Sequence, residues 1–245
     1  MTPDRKHSGE LVRIVVGEAA WRLGMAVFML GTLLMTAPSD AADSGGEQQA
    51  LVDKARLTVE AFSADPGLSG PIRELKSEAK ALFIVPQFVR GAFVFGGAGG
   101  SGVLLVRDEK TGAWSEPAFY TIGSASFGLQ IGADVSEMVL VVRNQKGLEE
   151  FYRNDFKLGA DVSMAVGPEG EGVSVRGIAA DILSYARKKG VFAGISADGA
   201  IIAVSNDSNR AYYGKDVRPT DIIIKHSVSN PKSADLRKTV EKLMK

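Results

Sequence analysis

The sequence predicts an α+β protein, a β-rich single domain of mostly antiparallel short strands with a few flanking helices. Short apolar or alternating runs recur between residues 81 and 205, and turn-forming text such as Gly167-Pro168-Glu169-Gly170 separates them. No regular alternation of strands with helices appears along the chain. A doubly wound parallel sheet requires that alternation, so the sequence favours an antiparallel arrangement.

The first 41 residues have the features of an export signal. Their basic residues are Arg5, Lys6, Arg13 and Arg22. An uncharged apolar run of 15 residues, 23–37, is followed by Ser39-Asp40-Ala41, which fits a cleavage site with small residues. A membrane span needs about 20 residues, so this run is short for one. We therefore expect an exported chain cleaved near Ala41, periplasmic or membrane-associated in a bacterial cell envelope; retention of residues 1–41 as an N-terminal anchor is the alternative.

The composition excludes several classes of site. The chain has 245 residues, a formal net charge of zero and no cysteine. A neutral protein has no global field that attracts nucleic acid. The lack of cysteine rules out disulfides, thiolate metal sites and a cysteine nucleophile. We therefore expect no nucleic-acid partner, no metal and no cofactor.

The chain after the leader divides into a linker and one domain. Residues 42–50 are small and polar, which predicts a linker, and residues 51–245 are predicted to form the domain. The segment 65–71, "DPGLSGP", is expected to end the first helix. Apolar residues at helical spacing predict helices over 48–64, 72–80, 146–155, 206–213 and 233–245.

The segment from Phe93 to Asp108 contains the pattern G-x-G-x-x-G over residues 97–102, which is typical of dinucleotide-binding loops. Such a site requires a helix directly after the glycines, because the helix N-terminus holds the pyrophosphate. Here four apolar residues, 103–106, follow and a charged turn closes them, which predicts a strand. We therefore interpret the segment as a β-turn-β unit whose small residues allow close backbone packing.

No group of residues forms a recognisable catalytic site. After residue 41 the only histidine is His226, and Ser124 stands where a Gly-x-Ser-x-Gly motif around Ser126 requires glycine. Glu116 and Asp134 are available as a pair of carboxylates for glycosidase chemistry, but nothing in the sequence singles them out. We therefore predict that the protein is not an enzyme, with a hydrolase of unrecognised site as the least favoured alternative.

The candidate binding site lies within residues 184–196, "SYARKKGVFAGIS". Three consecutive cations, Arg187, Lys188 and Lys189, precede Gly190 and the apolar pair Val191 and Phe192. This pattern suits an anionic lipid headgroup, with phosphate held by the cations and Val191 or Phe192 near the acyl boundary. The alternative is a solvated turn between a helix and a strand, because charge runs usually only contact water.

Five segments occur along the chain in this order: "AKALFIVPQFVRGAFVFGGAGGSGVLLVRD", "GAWSEPAFYTIGSASFGLQIGADVSEMVLVV", "LGADVSMAVGP", "SYARKKGVFAGIS" and "AYYGKDVRPTDII". Together they resemble, in order and spacing, the SYLF domain, also called the Ysc84-like or Las17-binding-protein actin-regulator domain. The resemblance covers about residues 51–225. It implies a lipid-binding module that is not an enzyme. Eukaryotic members of the family bind phosphoinositides and, in fungi, actin filaments. In these members the SYLF domain usually stands beside an SH3 or FYVE domain.

The chain departs from the family pattern in two ways that bear on its partners. The basic segment commonly reads Ser-Arg-Ser-Lys-Gly-Leu-Phe, whereas residues 186–192 read Ala-Arg-Lys-Lys-Gly-Val-Phe and add a cation. No SH3 or FYVE segment is recognised, and export is predicted, so we do not expect actin as a partner. The favoured function is an exported, non-enzymatic protein that binds anionic phospholipid at a membrane face. The alternative is a structural or protein-interaction module of the envelope without lipid dependence.

Overall fold

The computed structural model describes residues 44–92, 95–127, 132–170 and 173–245. The predicted leader, residues 1–41, lies outside these residues. The helices of the described chain are α1 (Ser44–Ala64), α2 (Pro66–Glu74), α3 (Gln145–Glu150), α4 (Asn206–Tyr213), α5 (Pro219–Ile223) and α6 (Ala234–Leu243). The strands are β1 (Ala81–Ala92), β2 (Phe95–Val106), β3 (Ala118–Phe127), β4 (Gly132–Val142), β5 (Asp155–Lys157), β6 (Met164–Val166), β7 (Ile182–Lys188), β8 (Val191–Phe192) and β9 (Ile201–Val204).

These strands form one sheet in the order β5-β9-β3-β2-β1-β4-β7-β6, and β8 pairs along the outer edge of β7. Neighbours run antiparallel, except that β6 is parallel to β7. The predicted α+β class is therefore confirmed. The four central strands, β1 to β4, have 10 to 12 residues each, so they are longer than the short strands that the sequence predicted.

A bulge explains why β1 is one strand although its sequence contains proline. The pairing of β1 shifts between Val85 and Phe88 against β4, and between Ile84 and Val89 against β2. Pro86 lies inside both shifts. Proline cannot donate a ladder hydrogen bond, and a bulge is one of the few places in a sheet that accepts it. Two apolar runs that read as separate strands therefore join into one.

The glycine-rich segment also forms a continuous strand. β2 runs through residues 97–102 into Val103 without a turn, so the predicted β-turn-β unit is wrong. The strand that follows Gly102 is confirmed, and it leaves no helix N-terminus for a dinucleotide. The close backbone packing is confirmed at Gly102, where a Cβ would lie 2.5 Å from the carbonyl oxygen of Ile84 and 2.8 Å from the Phe83 ring.

Both faces of the sheet are covered over its central part. One face, which we call the helical face, packs against α1, α2 and α6. Its buried strand residues include Leu82, Ile84, Val103, Leu105, Phe119, Val139 and Val141. The opposite face packs against α3, α5 and the loops around β5 and β9, through residues such as Phe83, Leu140, Phe151 and Ile222. The sheet is thus the middle layer of the domain.

The helix boundaries partly agree with the sequence. Helix α4 has its predicted bounds, 206–213, and α6 lies within the predicted 233–245. Helix α1 begins at Ser44, so residues 44–50 are helical where a linker was predicted. The carboxylate of Asp65 caps α2 by accepting from the backbone N–H of Gly67, and Pro66 occupies the first turn. "DPGLSGP" therefore starts a helix where the sequence predicted only the end of one.

Candidate functional site

The predicted lipid-binding segment forms the hairpin β7–β8. Val191 pairs with Lys188, and Phe192 pairs with Arg187. The two residues of the turn, Lys189 and Gly190, have φ angles of 51° and 81°. Positive φ at both central residues is the geometry of a type I′ turn, whose twist matches a two-residue hairpin. Glycine at the second position adopts it without steric cost, so the segment makes a tight, well-defined tip.

Arg187 is held inside the protein. Its side chain is only 14% exposed, and its guanidinium lies over the Phe62 ring of α1 at 5.8 Å. Nη1 donates to Oε2 of Glu137 on β4 at 3.1 Å, and Nη2 donates to the carbonyl oxygen of Gly190 at 3.2 Å. Asp65 approaches Nε at 4.0 Å. The predicted contact of Arg187 with lipid phosphate stays a prediction, and the structure shows that its charge already has protein partners.

Lys188 is also paired, on the opposite face of the sheet. Its Nζ donates to Oδ2 of Asp134 on β4 at 2.8 Å, and its side chain is 39% exposed. Successive side chains of a strand point to opposite faces, so Arg187 and Lys188 attach the hairpin to β4 from both sides. Both cations contribute to the attachment of the tip.

Lys189 and Val191 are the exposed members of the predicted site. Val191 is 65% exposed, and Lys189 lies exposed at the turn. Among the described residues, no ion pair involves Lys189. Phe192 is partly buried and packs against the cluster on the helical face. Of the five residues that the sequence grouped, Val191 is therefore the exposed apolar side chain, and Lys189 is the exposed cation that has no ion pair among the described residues.

The sequence did not reveal that Glu137 and Asp134 pair with the cations of the hairpin. Glu137 lies 50 residues from Arg187 in the chain, and Asp134 lies 54 residues from Lys188. Glu137 also accepts from the Thr58 hydroxyl of α1 at 3.2 Å. Opposite charges across neighbouring strands stabilise a sheet, but the pairing of β4 with β7 must be known before that signal can be read.

The two carboxylates considered for catalysis belong to separate networks. Asp134 pairs with Lys188, as above. Glu116 is buried, and its carboxylate binds the C-terminal segment: it accepts from the hydroxyls of Ser229 and Ser233 and from the backbone N–H of Asn230, with Arg237 at 3.5 Å. These contacts give Glu116 a structural role, and the two carboxylates do not form a glycosidase pair.

His226 and the buried Tyr120 lie in different parts of the described structure. His226 follows α5 with a φ of 49° and lines a groove of about 500 Å³ with Asp108, Trp114 and Arg237. Burial raises the pKa of Tyr120 well above its usual value, and its hydroxyl donates to the carbonyl oxygen of Phe151 at 2.6 Å.

Among the described residues, no three His, Cys, Asp or Glu side chains lie together as metal ligands. No helix in the described part is both long and apolar enough to cross a membrane.

Comparison with known proteins decides the family. Residues 123–243 match the family model described as Ysc84: Las17-binding protein actin regulator. The chain belongs to this family. It is 32% identical over 166 residues to the SH3 domain-containing protein PJ696.02 of Schizosaccharomyces pombe, covering 65% of the chain and 38% of that protein.

Two further Ysc84 relatives are similar over comparable stretches. The human SH3 domain-containing YSC84-like protein 1 is 30% identical over 192 residues, which cover 75% of the chain and 55% of the relative. Protein YSC84 of Saccharomyces cerevisiae is 31% identical over 164 residues, which cover 64% of the chain and 34% of the relative. The chain thus spans between about a third and about half of the length of these relatives.

Two sequence blocks that resemble the Ysc84 pattern meet in the structure. The hydroxyl of Tyr213, in the segment that begins "AYYG", donates to the carbonyl oxygen of Pro117, in the segment that begins "GAWSEP", at 2.6 Å. The side chain of Asn209, on the same helix α4, accepts from the backbone N–H of Phe119 and donates to its carbonyl oxygen. These contacts dock α4 on β3, so here the shared pattern maintains the fold.

Proposed function

We propose that this domain is a non-enzymatic module that binds anionic phospholipid at a membrane surface through the tip of the β7–β8 hairpin. The observation that carries the proposal is the exposed pair Lys189 and Val191 on a turn that Arg187 and Lys188 attach to the body. A cation and an apolar side chain at one tip match the two layers of a lipid surface, phosphate outside and acyl chain inside.

The tip alone supports weak and reversible binding. A cation near an anionic membrane contributes about 1 kcal/mol, and full burial of a valine contributes about 1.5–3 kcal/mol. Because the turn is already ordered, little conformational entropy is lost when it contacts lipid. We expect binding that depends on the anionic lipid fraction and weakens at high salt.

The proposal includes the location of the protein in the cell and its relation to actin. We propose an exported location at the cell envelope, because the leader has export features and anionic phospholipids are the ligands available there. The family description names Las17 and actin, and those words apply to the relatives that carry them. For this chain we keep the prediction that actin filaments are not bound, which co-sedimentation with actin tests.

Co-sedimentation with vesicles tests the proposed site. The full chain is mixed with vesicles of phosphatidylglycerol and phosphatidylcholine, or of phosphatidylcholine alone. The test variant is Lys189→Glu. Lys110→Glu is the matched control, because Lys110 also lies exposed in a turn, and that turn follows the end of β2 opposite to Phe95.

We expect the anionic vesicles to bind the parent chain and Lys110→Glu equally, and the neutral vesicles to bind both weakly. Charge reversal at Lys189 replaces attraction by repulsion and should weaken binding about 5- to 30-fold, from about 1 kcal/mol for each charge. Equal binding of Lys189→Glu and Lys110→Glu would show that the tip is not the site. Equal binding to both vesicle types would show that headgroup charge is not recognised, and sedimentation with neither type would favour the protein-interaction alternative.

A further inference from the structure

At one end of the sheet, the four central strands continue beyond the residues of β1 and β4 that α1 contacts, Gln87 and Glu137. We call this extension the arm; it consists of residues 89–92 of β1, 95–99 of β2, 123–127 of β3 and 132–136 of β4. Strand pairing holds it together, with Arg90 opposite Ala98 and Asp134, and Phe95 opposite Phe127. Helix α1 crosses the sheet at the base of the arm, where Lys54 contacts Gln87 at 3.4 Å and Thr58 contacts Glu137 at 3.2 Å.

The helical face of the arm presents an apolar row to solvent. Val89 and Val135 are direct partners on β1 and β4, and they are 46% and 51% exposed. The row continues across the sheet by strand pairing through Gly99 and Gly123 to the exposed Ile201. Large apolar side chains at this exposure need a reason when they are neighbours, because grouped exposed apolar residues mark interaction surfaces.

The arm also lacks the charges that protect ordinary exposed strands. Residues 91–106 and 117–133 contain no Asp, Glu, Lys or Arg, so Arg90 and Asp134 at the base are the only charged residues of the arm. Within the described residues, β3 beyond Gly123 and β4 before Glu137 pair on one side only. Sheet edges exposed to water usually carry charged side chains or proline. This composition instead suits a less polar surrounding.

The arm lies next to the proposed lipid-binding hairpin, which favours a lipid surface as its less polar surrounding. Lys188 on β7 and Asp134 in the arm form the ion pair at 2.8 Å, so the hairpin tip and Val135 lie at the same end of neighbouring strands. The cations Lys54, Arg90 and Lys189 lie around the base of the arm. A second copy of the chain is less suited to this surface, because a stable interface buries about 800 Å² on each partner and the row offers only a few half-exposed side chains.

We infer that the arm enters the interfacial layer of a lipid bilayer, with Val89 and Val135 at the boundary between headgroups and acyl chains, and with Lys54, Arg90 and Lys189 beside them near the phosphates. This inference rests on the proposed function and adds a second, apolar contact to it. The depth is limited by the open strand edges, since backbone N–H and C=O groups without partners are costly in hydrocarbon. The arm therefore lies at the level where water still reaches those edges.

Site-specific fluorescence tests the inference directly, because the chain has no cysteine. Single-cysteine variants Val135→Cys and Val89→Cys are labelled with a polarity-sensitive nitrobenzoxadiazole probe. Ile224→Cys is the matched control, because Ile224 is equally exposed at the end of α5. Each labelled chain is mixed with vesicles of phosphatidylglycerol and phosphatidylcholine, and the bound fraction is measured in the same samples by sedimentation.

We expect a blue shift and an intensity increase for probes at positions 89 and 135 on anionic vesicles, and no change at position 224. Val135→Asp should reduce the bound fraction about tenfold, because a charge in the apolar layer is costly, while thermal unfolding shows that the variant remains folded. If the labelled chains sediment with vesicles while both probes stay in water, the inference is wrong and the proposed function stands. If no chain sediments, both are wrong, and a blue shift that depends on protein concentration without vesicles would identify a second copy as the partner.

Discussion

Asp181 shows how single residues hold the loops of this domain. Its carboxylate accepts from the hydroxyl and backbone N–H of Ser163, from the amide of Asn144 and from Lys146, at 2.6 to 3.1 Å. Burial opposes ionisation of Asp181, but these hydrogen bonds together outweigh it and hold its pKa well below the usual range. The charged form is therefore the one that joins the start of α3, the segment before β6 and the start of β7.

Asp181→Asn should lower the free energy of unfolding at pH 7 by about 1–3 kcal/mol, because it removes charge-assisted hydrogen bonds. A depressed folded-state pKa gives stability that is present above the unfolded pKa, near 3.9, and is lost as the pH falls towards the folded value. Urea unfolding should therefore show a smaller difference between parent and variant at pH 3 than at pH 7. Asp216→Asn is the control, because Asp216 is exposed and only 3.5 Å from Arg210. A pH-independent difference would contradict this account of Asp181.

Substitution of Gly102 tests the close packing of β1 on β2. Gly102→Ala would place a methyl group against the Ile84 carbonyl and the Phe83 ring, and overpacking of this kind costs about 1–3 kcal/mol. Gly91→Ala is the control, because a Cβ there would meet no atom of the described residues within 4 Å. Chemical denaturation should therefore separate the two variants, and equal stability would show that β1 and β2 adapt freely to the extra methyl group.

At the scale of elements, the hairpin carries two cations that are paired with β4 and one exposed cation that belongs to the proposed site. Arg187→Ala should lower the free energy of unfolding by about 1–3 kcal/mol, because it removes hydrogen bonds to Glu137 and Gly190 from a largely buried position. Lys189→Ala should stay within about 0.5 kcal/mol of the parent chain. If Arg187→Ala kept full stability but lost vesicle binding, Arg187 would have the headgroup role that the sequence predicted for it.

The sequence predicted those elements whose signals are local. Helix α4 was predicted with its observed bounds, since its apolar spacing is helical and Gly214 ends it in the left-handed conformation. The long strands were predicted as fragments, because Pro86 and the glycines of β2 are ordinarily turn residues. Their place inside strands depends on a bulge and on neighbouring backbones, which are tertiary features.

The candidate site remains a prediction, and the structure shows which of its residues are exposed. The cations next to Val191 lie on a hairpin between two strands, where the sequence alternative was a turn between a helix and a strand. The distinction between Lys189 and the paired cations depends on Asp134 and Glu137, which are distant in the chain. The arm was not predicted as a surface, because Val89 and Val135 read as core residues until the ends of the helices are known.

At the scale of the whole molecule, the two ends of the central sheet differ in charge among the described residues. The helices cover the central sheet, whereas the arm and the hairpin tip extend from the same end and carry Val89, Val135, Lys189 and Val191. The turn 108–112 lies beyond the other end of β2 and is rich in charge. A surface-binding module requires such a polarity, because only one end can face a membrane.

Hydrogen exchange of the full chain, with and without anionic vesicles, tests this polarity most directly, since it needs no label or substitution. The account predicts slower exchange on vesicles at residues 188–192 and 132–136, and unchanged exchange at the turn 108–112 and at residues 224–228. Protection confined to α6 or to the turn 108–112, with none at the arm or the hairpin, would contradict it.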